Sequence, residues 1–382
     1  MPYYTREMVK YMNKQWKIDH PDDADPNGKQ RVTPSNVDIN DYNRNNKNEN
    51  KNNNALTFDE KRLAYQRNLL RLQVERINRL EGAISTSSAK QFSKYEYDIE
   101  GEEASIGSRH TTYWCKHSDF NTIPMVLTVF SDNHPNPFYL KVLRHLGKKH
   151  PYILQTWDIF IDDNNRILLF QEYANRSDMG SLIKSAPSSN ITEALVVDWS
   201  RQLFKALDYL GDMGICHRNI SPSHVLLSHH EMSVRLSGFT KAYIYWNIKK
   251  EDIEYIPCFH ISCKPLDEPD YQAPEIYGDP HKEEFDPILA DVWSYGAVIF
   301  YALSHGKYPH DWKRENKKIE KEIQSRVEQL NVASEGKQFM SSLLSTNALS
   351  RIPVNSIGQN AWFARFQDKG RAIGSSTRMK SS

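Results

Sequence analysis

An α+β fold with a small strand-rich lobe followed by a larger helical lobe is predicted by the order of patterns in this 382-residue sequence. Short β-rich runs come first: "YWCKHS", "PMVLTVF" and "RILLFQEY". Long helical patterns follow, "ITEALVVDWSRQLFKALDYLGDMG" and "LADVWSYGAVIFYALSHG". A separate helical signal precedes both lobes.

Residues 36–54, "NVDINDYNRNNKNENKNNN", are mostly Asn with almost no apolar side chains, so burial cannot offset the entropy of ordering them. Residues 1–55 are therefore expected to be mostly disordered. In 56–93, Thr57 and Glu60 have the spacing of a capping box. Leu63, Leu70, Ile77 and Ile84 recur every seven residues, with Leu69, Val74 and Leu80 beside them. This makes one apolar stripe on a long, basic, amphipathic helix. Gln66 and Gln73 stand where a second apolar row would lie, which favours docking on the chain's own domain over a dimeric coiled coil and leaves self-association through 58–84 open. The folded domain is expected over 94–364, with its small lobe at 94–173 and its helical lobe at 174–364, ahead of a basic disordered tail at 365–382.

A formal net charge of +1 gives no sign of a nucleic-acid partner. No apolar run has the length of a membrane span, and the start "MPYYTREMVKYMNKQWK" is too polar for a signal peptide. Four cysteines (Cys115, Cys216, Cys258, Cys263) form no disulfide framework, and a cytoplasmic location is expected. Cys258, His260 and Cys263 in "CFHISC" do not have a common zinc-ligand spacing and are read as loop residues.

The motifs "FQEYANRSDMGSLI", "HRN", "RLSGFTKA" and "YQAPEI" follow one another in an order that, over about residues 95–364, resembles the eukaryotic protein kinase domain, which implies a two-lobed protein-kinase-like fold. "FQEYANRSDMGSLI" is similar to the hinge, with Gln171 as gatekeeper and Glu172, Tyr173 and Ala174 along the adenine-facing strand. "HRN" is similar to HRD, "RLSGFTKA" to the strand and turn of DFG, and "YQAPEI" to APE. "DVWSYGAVIFYALSHGKYP" and "RIPVNSIGQNAWF" resemble the last two conserved stretches. The resemblance implies an ion pair between Glu275 and Arg351, an Asp291 carboxylate that accepts from the "HRN" backbone, and central packing of His217 and Phe239 with Leu143.

The positions that the family uses for chemistry are exchanged. Phosphoryl transfer there needs a lysine on the phosphates, a glutamate that holds it, an aspartate on the incoming hydroxyl, and metal ligands. The matching residues are Thr128 for the strand lysine, Tyr139 for the helix glutamate, Asn219 for the catalytic aspartate and Ser221 for the loop lysine. His224 and Gly238 replace the metal-binding asparagine and aspartate, and Thr240 the last glycine of DFG. No acidic residue lies between Asp132 and Asp158, and Glu231 is the only carboxylate between Gly214 and Tyr245. Magnesium prefers hard oxygen ligands, so no metal site is expected. A positioned general base alone is worth about 10²–10⁴ in rate, so with base, lysine and metal gone together, negligible phosphotransfer is expected.

A possible nucleotide cleft would be lined by Gly101, Val126, Gln171, Glu172, Tyr173, Ala174 and Leu226. Its glycine-rich loop, aligned on Gly101, has Glu103 and Ile106 where the next two glycines would stand, with Gly107 out of register. ATP held without magnesium is the remaining cofactor expectation, and none is required. Arg109 or Lys116 could supply a displaced cation, although solvated strand residues are the plainer reading. Arg218 is kept; it either reads a phosphate on Ser262, Tyr255 or Tyr271 or pairs with backbone or an acidic neighbour.

In the "SHVLLS" and "LSG" runs the chain is similar to STRAD-type adaptor pseudokinases, whereas "TWDIFIDDNNRILLFQEYANRSDMGSLIK" looks more like calmodulin-dependent and testis-specific kinase relatives. The first resemblance implies a pseudokinase: a scaffold or allosteric regulator of a protein partner, another kinase included, with no nucleic acid or membrane partner. The alternative is an unorthodox ATP-dependent Ser/Thr kinase in which His224 acts as base.

Overall fold

The computed structural model describes residues 58–79, 95–97, 103–106, 110–119, 124–130, 137–162, 164, 166–174, 177–228, 232–259, 269–311 and 316–366. The expectations for residues 1–57, including the Asn-rich tract and Thr57, and for the tail at 367–382 lie outside them, as do Gly101, Arg109, His260, Ser262 and Cys263.

The small lobe is one antiparallel sheet in the order β1 (Tyr95–Tyr97), β3 (His110–His117), β4 (Met125–Phe130), β6 (Ile167–Glu172), β5 (Thr156–Ile161), with β2 (Glu103–Ile106) also pairing with β3. Strand alternation divides its residues between two environments. On one face Met125, Leu127 and Val129 join Tyr95, Tyr113, Cys115, Phe160, Leu168 and Phe170 in a separate small core. Phe130, Ile159, Ile167 and Leu169 join the main core, together with Leu140, Leu143 and Leu146 of helix α2 (Pro137–Leu146).

The helical lobe begins with β7 (Ser177–Asp178) and α3 (Met179–Ser185), followed by α4 (Glu193–Asp212). Side-chain oxygens start these helices where the sequence supplies them: Asp178 accepts from the Ser181 amide at 2.8 Å and Thr192 from the Leu195 amide at 3.3 Å. The chain then runs through β8 (Ile215–Cys216), β9 (Val225–Leu227) and β10 (Val234–Leu236) to β11 (Tyr243–Ile244), which pairs back on β8. Two short antiparallel pairings follow, the hairpin of β12 (Trp246–Asn247) with β13 (Asp252–Ile253) and the longer-range pair of β14 (Ile256–Pro257) with β15 (Glu284–Phe285). Helix α5 (Pro287–Leu303), capped by Asp286, is buried along nearly its whole length, as its continuous apolar run requires. Helices α6 (Asn316–Glu328) and α7 (Ser334–Leu343) and residues 361–366 close the lobe around fully buried Trp199, Trp293 and Trp362.

The leading helix, α1 (Phe58–Arg79), packs on this domain, against α2 and β12. The C-terminal half of its stripe is the docked part: Ile77 and Val74 are buried, Gln73 is buried beside them, and Leu63 is exposed. Ile84 and Leu80, the stripe's last members, lie outside the described residues.

Burial is the main reason that four histidines among the described residues are hard to protonate: His145, His217 and His310 are buried, and His150 is half-buried. His145 of α2, His150 and His217 are pushed down to about 3, and His310 to about 4. In the unfolded chain the same side chains take up a proton near pH 6.5. Their stabilising contribution is therefore complete above that pH and lost as pH falls toward 3 to 4. Burial raises Asp291 to about 7 and Asp208 to about 6 and also raises Asp286, so these three bind protons in the folded state and work in the opposite direction. With four imidazoles against three carboxyls, stability should fall by about 1–3 kcal/mol per pH unit between pH 6 and 4. Urea midpoints measured across that range check it; a midpoint that rises on acidification would contradict the burial of these imidazoles.

Candidate functional site: the cleft between the lobes

The hairpin over the cleft is displaced from the position that sequence spacing suggests. Strand β2 pairs Glu103 with Tyr113 and Ile106 with Thr111, with a register shift between Glu103 and Ser105. Glu103 and Ile106 therefore belong to a strand, and β3 begins at His110. The glycine-rich-loop alignment that starts at Gly101 is corrected accordingly. One bulge is enough to move a turn along the chain, and only long-range pairing reveals it.

Thr128 is buried in β4, opposite Thr112 of β3, with the two hydroxyl oxygens 3.3 Å apart. A neutral side chain thus stands at the strand-lysine position, satisfied by its cross-strand neighbour. Tyr139 on α2 is half-buried, and burial pushes its phenol up to about 12, so it stays neutral. Lys116, one displaced-cation candidate, is exposed and lies beyond Cys115–Met125, the last pair between β3 and β4.

The hinge residues are held from within. Val126 pairs with Gln171 on one side and with Trp114 on the other, so these three share a sheet face. Gln171 is buried, and its amide donates to the Thr156 hydroxyl at 3.1 Å. The Glu172 carboxylate accepts from the Gln155 amide and from Nε of Arg235 on β10, both at 2.9 Å, which ties hinge to helical lobe. The Tyr173 amide donates to the Pro124 carbonyl at 2.8 Å. Ala174 follows it, and Leu226 lies on β9, paired with Arg235 and Asp178. Trp114 was missed by motif reading. It is 43% exposed and sits edge-on to Tyr173, with ring centroids 4.6 Å apart. The alternation in "TTYWCKH" places it on the same face as Thr112, which was the available signal.

The loop from His217 to His224 has the backbone arrangement expected of it. The carboxylate of fully buried Asp291 accepts from the His217 amide at 2.5 Å and from the Arg218 amide at 2.8 Å. His217 Nδ1 accepts from the Asn219 amide at 3.2 Å, which leaves Nε2–H to donate to the Ser237 carbonyl at 2.7 Å. Its ring lies 4.7 Å from that of Phe239, and Leu143 is buried in the same core as Phe239. Asn219 and Ser221 are both buried.

His224 and Gly238 interlock. The His224 Nδ1–H donates to the Asn219 carbonyl at 2.8 Å, with the Ser221 hydroxyl at 3.1 Å, so the ring is anchored. A Cβ placed on Gly238 would lie 2.3 Å from His224 Cδ2, 2.5 Å from Cγ and 2.9 Å from Nε2. Gly238 has φ of +80°, a left-handed conformation that glycine adopts without strain. The ring therefore fills the space a side chain at 238 would need. Neither position offers a side-chain oxygen, and the residues present do not fit a magnesium ion. Among the described residues no cluster of three His, Cys, Asp or Glu could hold a metal.

Arg218, at φ of +62°, borders a small pocket with Phe259, Gln272, Ile276 and Asp291, and its guanidinium lies 5.7 Å from the Tyr243 ring centroid. Of its suggested phosphate donors, Tyr255 is 46% exposed, whereas Tyr271 is buried against Tyr301 and Tyr308.

Residues 139–363, more than half of the chain, match the protein kinase domain family, and the chain belongs to that family. It is 32% identical over 178 residues to the serine/threonine-protein kinase hal4 of Schizosaccharomyces pombe, covering 47% of this chain and 26% of that protein. It is 27% identical over 226 residues to CBL-interacting protein kinase 26 of Oryza sativa subsp. japonica, covering 58% of this chain and 41% of that one. Against HAL4/SAT4 of Saccharomyces cerevisiae the identity is 30% over 158 residues, 41% of this chain and 24% of the relative. The chain thus spans from about a quarter to two fifths of the length of these three relatives. Among solved structures, a chain of the Chaetomium thermophilum CAK complex bound to ATP-gamma-S has the same fold, with a TM-score of 0.56 at 16% identity, over 72% of this chain and 92% of that one. No helix among the described residues is long and apolar enough to cross a membrane.

Proposed function

We propose that this chain is a pseudokinase, a kinase-fold protein that acts on a protein partner by binding and transfers little or no phosphate. The observation that carries this reading is the His224 ring lodged against Gly238, anchored through Nδ1 where the family places its two metal ligands. The absent base at Asn219 and the absent charge at Thr128 agree with it. Electrostatic clamps on the transferring group are usually the largest catalytic contribution, and here their protein parts are missing together. The partner is a protein, another kinase being the kind the adaptor resemblance suggests, and the cleft holds nucleotide without metal if it holds any.

The names of the relatives favour a second reading, since hal4 and HAL4/SAT4 are called serine/threonine kinases. Under it the chain transfers phosphate by an unorthodox route in which His224 is the base. Melting temperature with ATP, measured with magnesium and with EDTA, separates the two, because a ligand that binds only the folded state raises it. An equal shift with and without metal, or none at all, is expected for a binding protein. A magnesium-dependent shift followed by transfer to a peptide would overturn the proposal.

A further inference from the structure

Where a catalytic kinase anchors its small-lobe helix through a lysine and a glutamate, this chain has Thr128 and Tyr139, which cannot form that ion pair. On one side α2 rests against the turn Phe239–Lys241 and β5. On the other it rests against α1, which lies outside the part of the chain that matches the family. Ile77 of α1 has no exposed surface and belongs to the same core as Leu140, Val142 and Leu143 of α2. One turn back, Val74 packs with Cys216 of β8, Trp246 of β12 and Tyr245 between β11 and β12, and Leu70 joins them.

The receiving surface is shaped for this helix. Gly214, between α4 and β8, has φ of +74°, and a Cβ there would stand 3.2 Å from Val74 Cγ2 and 3.6 Å from Trp246 Cβ. Two independent requirements, backbone sign and close approach, thus fall on one glycine under α1. At the exposed rim Arg67 lies 3.9 Å from Glu251.

We infer that α1 is a built-in partner of the face made by α2, β8 and β12, and that it positions α2 in place of the missing lysine–glutamate pair. The occupant of this face is α1 itself, an amphipathic helix whose docked stripe is half-buried Leu70 with buried Val74 and Ile77. While α1 is seated, the face is closed to any other helix. The inference stands whether or not the cleft transfers phosphate.

Two measurements test it on the full chain. Val74→Asp should speed amide hydrogen exchange in residues 137–146 and 243–253 by about tenfold or more, while α4 and α5 keep their protection. Unchanged exchange in 137–146 would overturn the positioning role. The second measurement needs no substitution in the contact. With a protease site inserted at residue 87 and cut after folding, the fragment containing α1 should stay with the domain through size exclusion at micromolar concentration. Its separate elution would overturn the inference, even if Val74→Asp unfolded the whole domain.

Discussion

Gly238→Asp is expected to lower the melting temperature and to leave the protein without magnesium affinity as long as His224 is in place. The new Cβ would overlap a ring whose Nδ1–H is committed to the Asn219 carbonyl, so the imidazole cannot turn aside without losing that bond. Overpacking of this kind costs about 1–3 kcal/mol. The left-handed backbone at φ of +80° adds about 1–2 kcal/mol for a residue with a side chain. His224→Asn removes the obstruction at the price of one hydrogen bond, about 1 kcal/mol. The double variant should therefore be more stable than the two single losses predict, by a coupling of about 1–3 kcal/mol in urea unfolding. It also regains an amide oxygen and a carboxylate at the two positions, so magnesium with ATP should raise its melting point and not that of either single variant. Phosphotransfer should stay absent, because Asn219 and Thr128 are unchanged. A magnesium-dependent shift in Gly238→Asp alone would show that His224 does not fill the site.

The sequence makes the two-lobed α+β order legible because its strands alternate and its helices are long. "MVLTVF" and "RILLFQEY" are found as β4 and β6, and the run from Ala290 to Leu303 forms most of a buried α5. The roles of Asp291, Glu275 and Arg351 are legible too, since each side chain meets a partner that the motif order already implies. The hairpin register is not. It depends on which of several polar residues between 98 and 110 faces β3, and a bulge there has no composition of its own. Nor does the sequence tell that Gly238 and His224 are one change: fourteen residues separate them, and only the fold brings the ring over the glycine. The apolar stripe of α1 is visible in its spacing, but its destination is a surface assembled from α2, Gly214 and Trp246, which no local pattern can name.

The largest loss of stability is expected from breaking the one buried ion pair the family's scaffold keeps. The Arg351 side chain has no exposed surface and Glu275 retains only 21%; Nη2 meets Oε2 at 2.6 Å and Nη1 meets Oε1 at 2.5 Å. Arg351 also donates to the Leu289 carbonyl at 2.8 Å and to the Ser345 carbonyl at 2.9 Å, and its guanidinium lies 4.9 Å from the Trp293 ring centroid. Either Glu275→Leu or Arg351→Met should cost about 3–5 kcal/mol, a large share of a typical domain's 5–15 kcal/mol. The reasons differ. Without Glu275 a cation remains buried with only carbonyl partners, whereas without Arg351 two carbonyls lose their donor and the glutamate can still reach water. The double variant Glu275→Leu, Arg351→Met removes both charges, so it should be more stable than the sum of the single losses predicts. Urea midpoints check the cycle, and strictly additive losses would mean that the two charges do not depend on each other. This pair ties the segment at Pro274–Ile276 to α5 and shapes the lobe whether or not phosphate moves. A lysine–glutamate pair at 128 and 139 would serve the phosphates. A chain that acts by binding, as proposed, would need the first pair and not the second, and this chain keeps Glu275 with Arg351 and has Thr128 and Tyr139 at the other two positions.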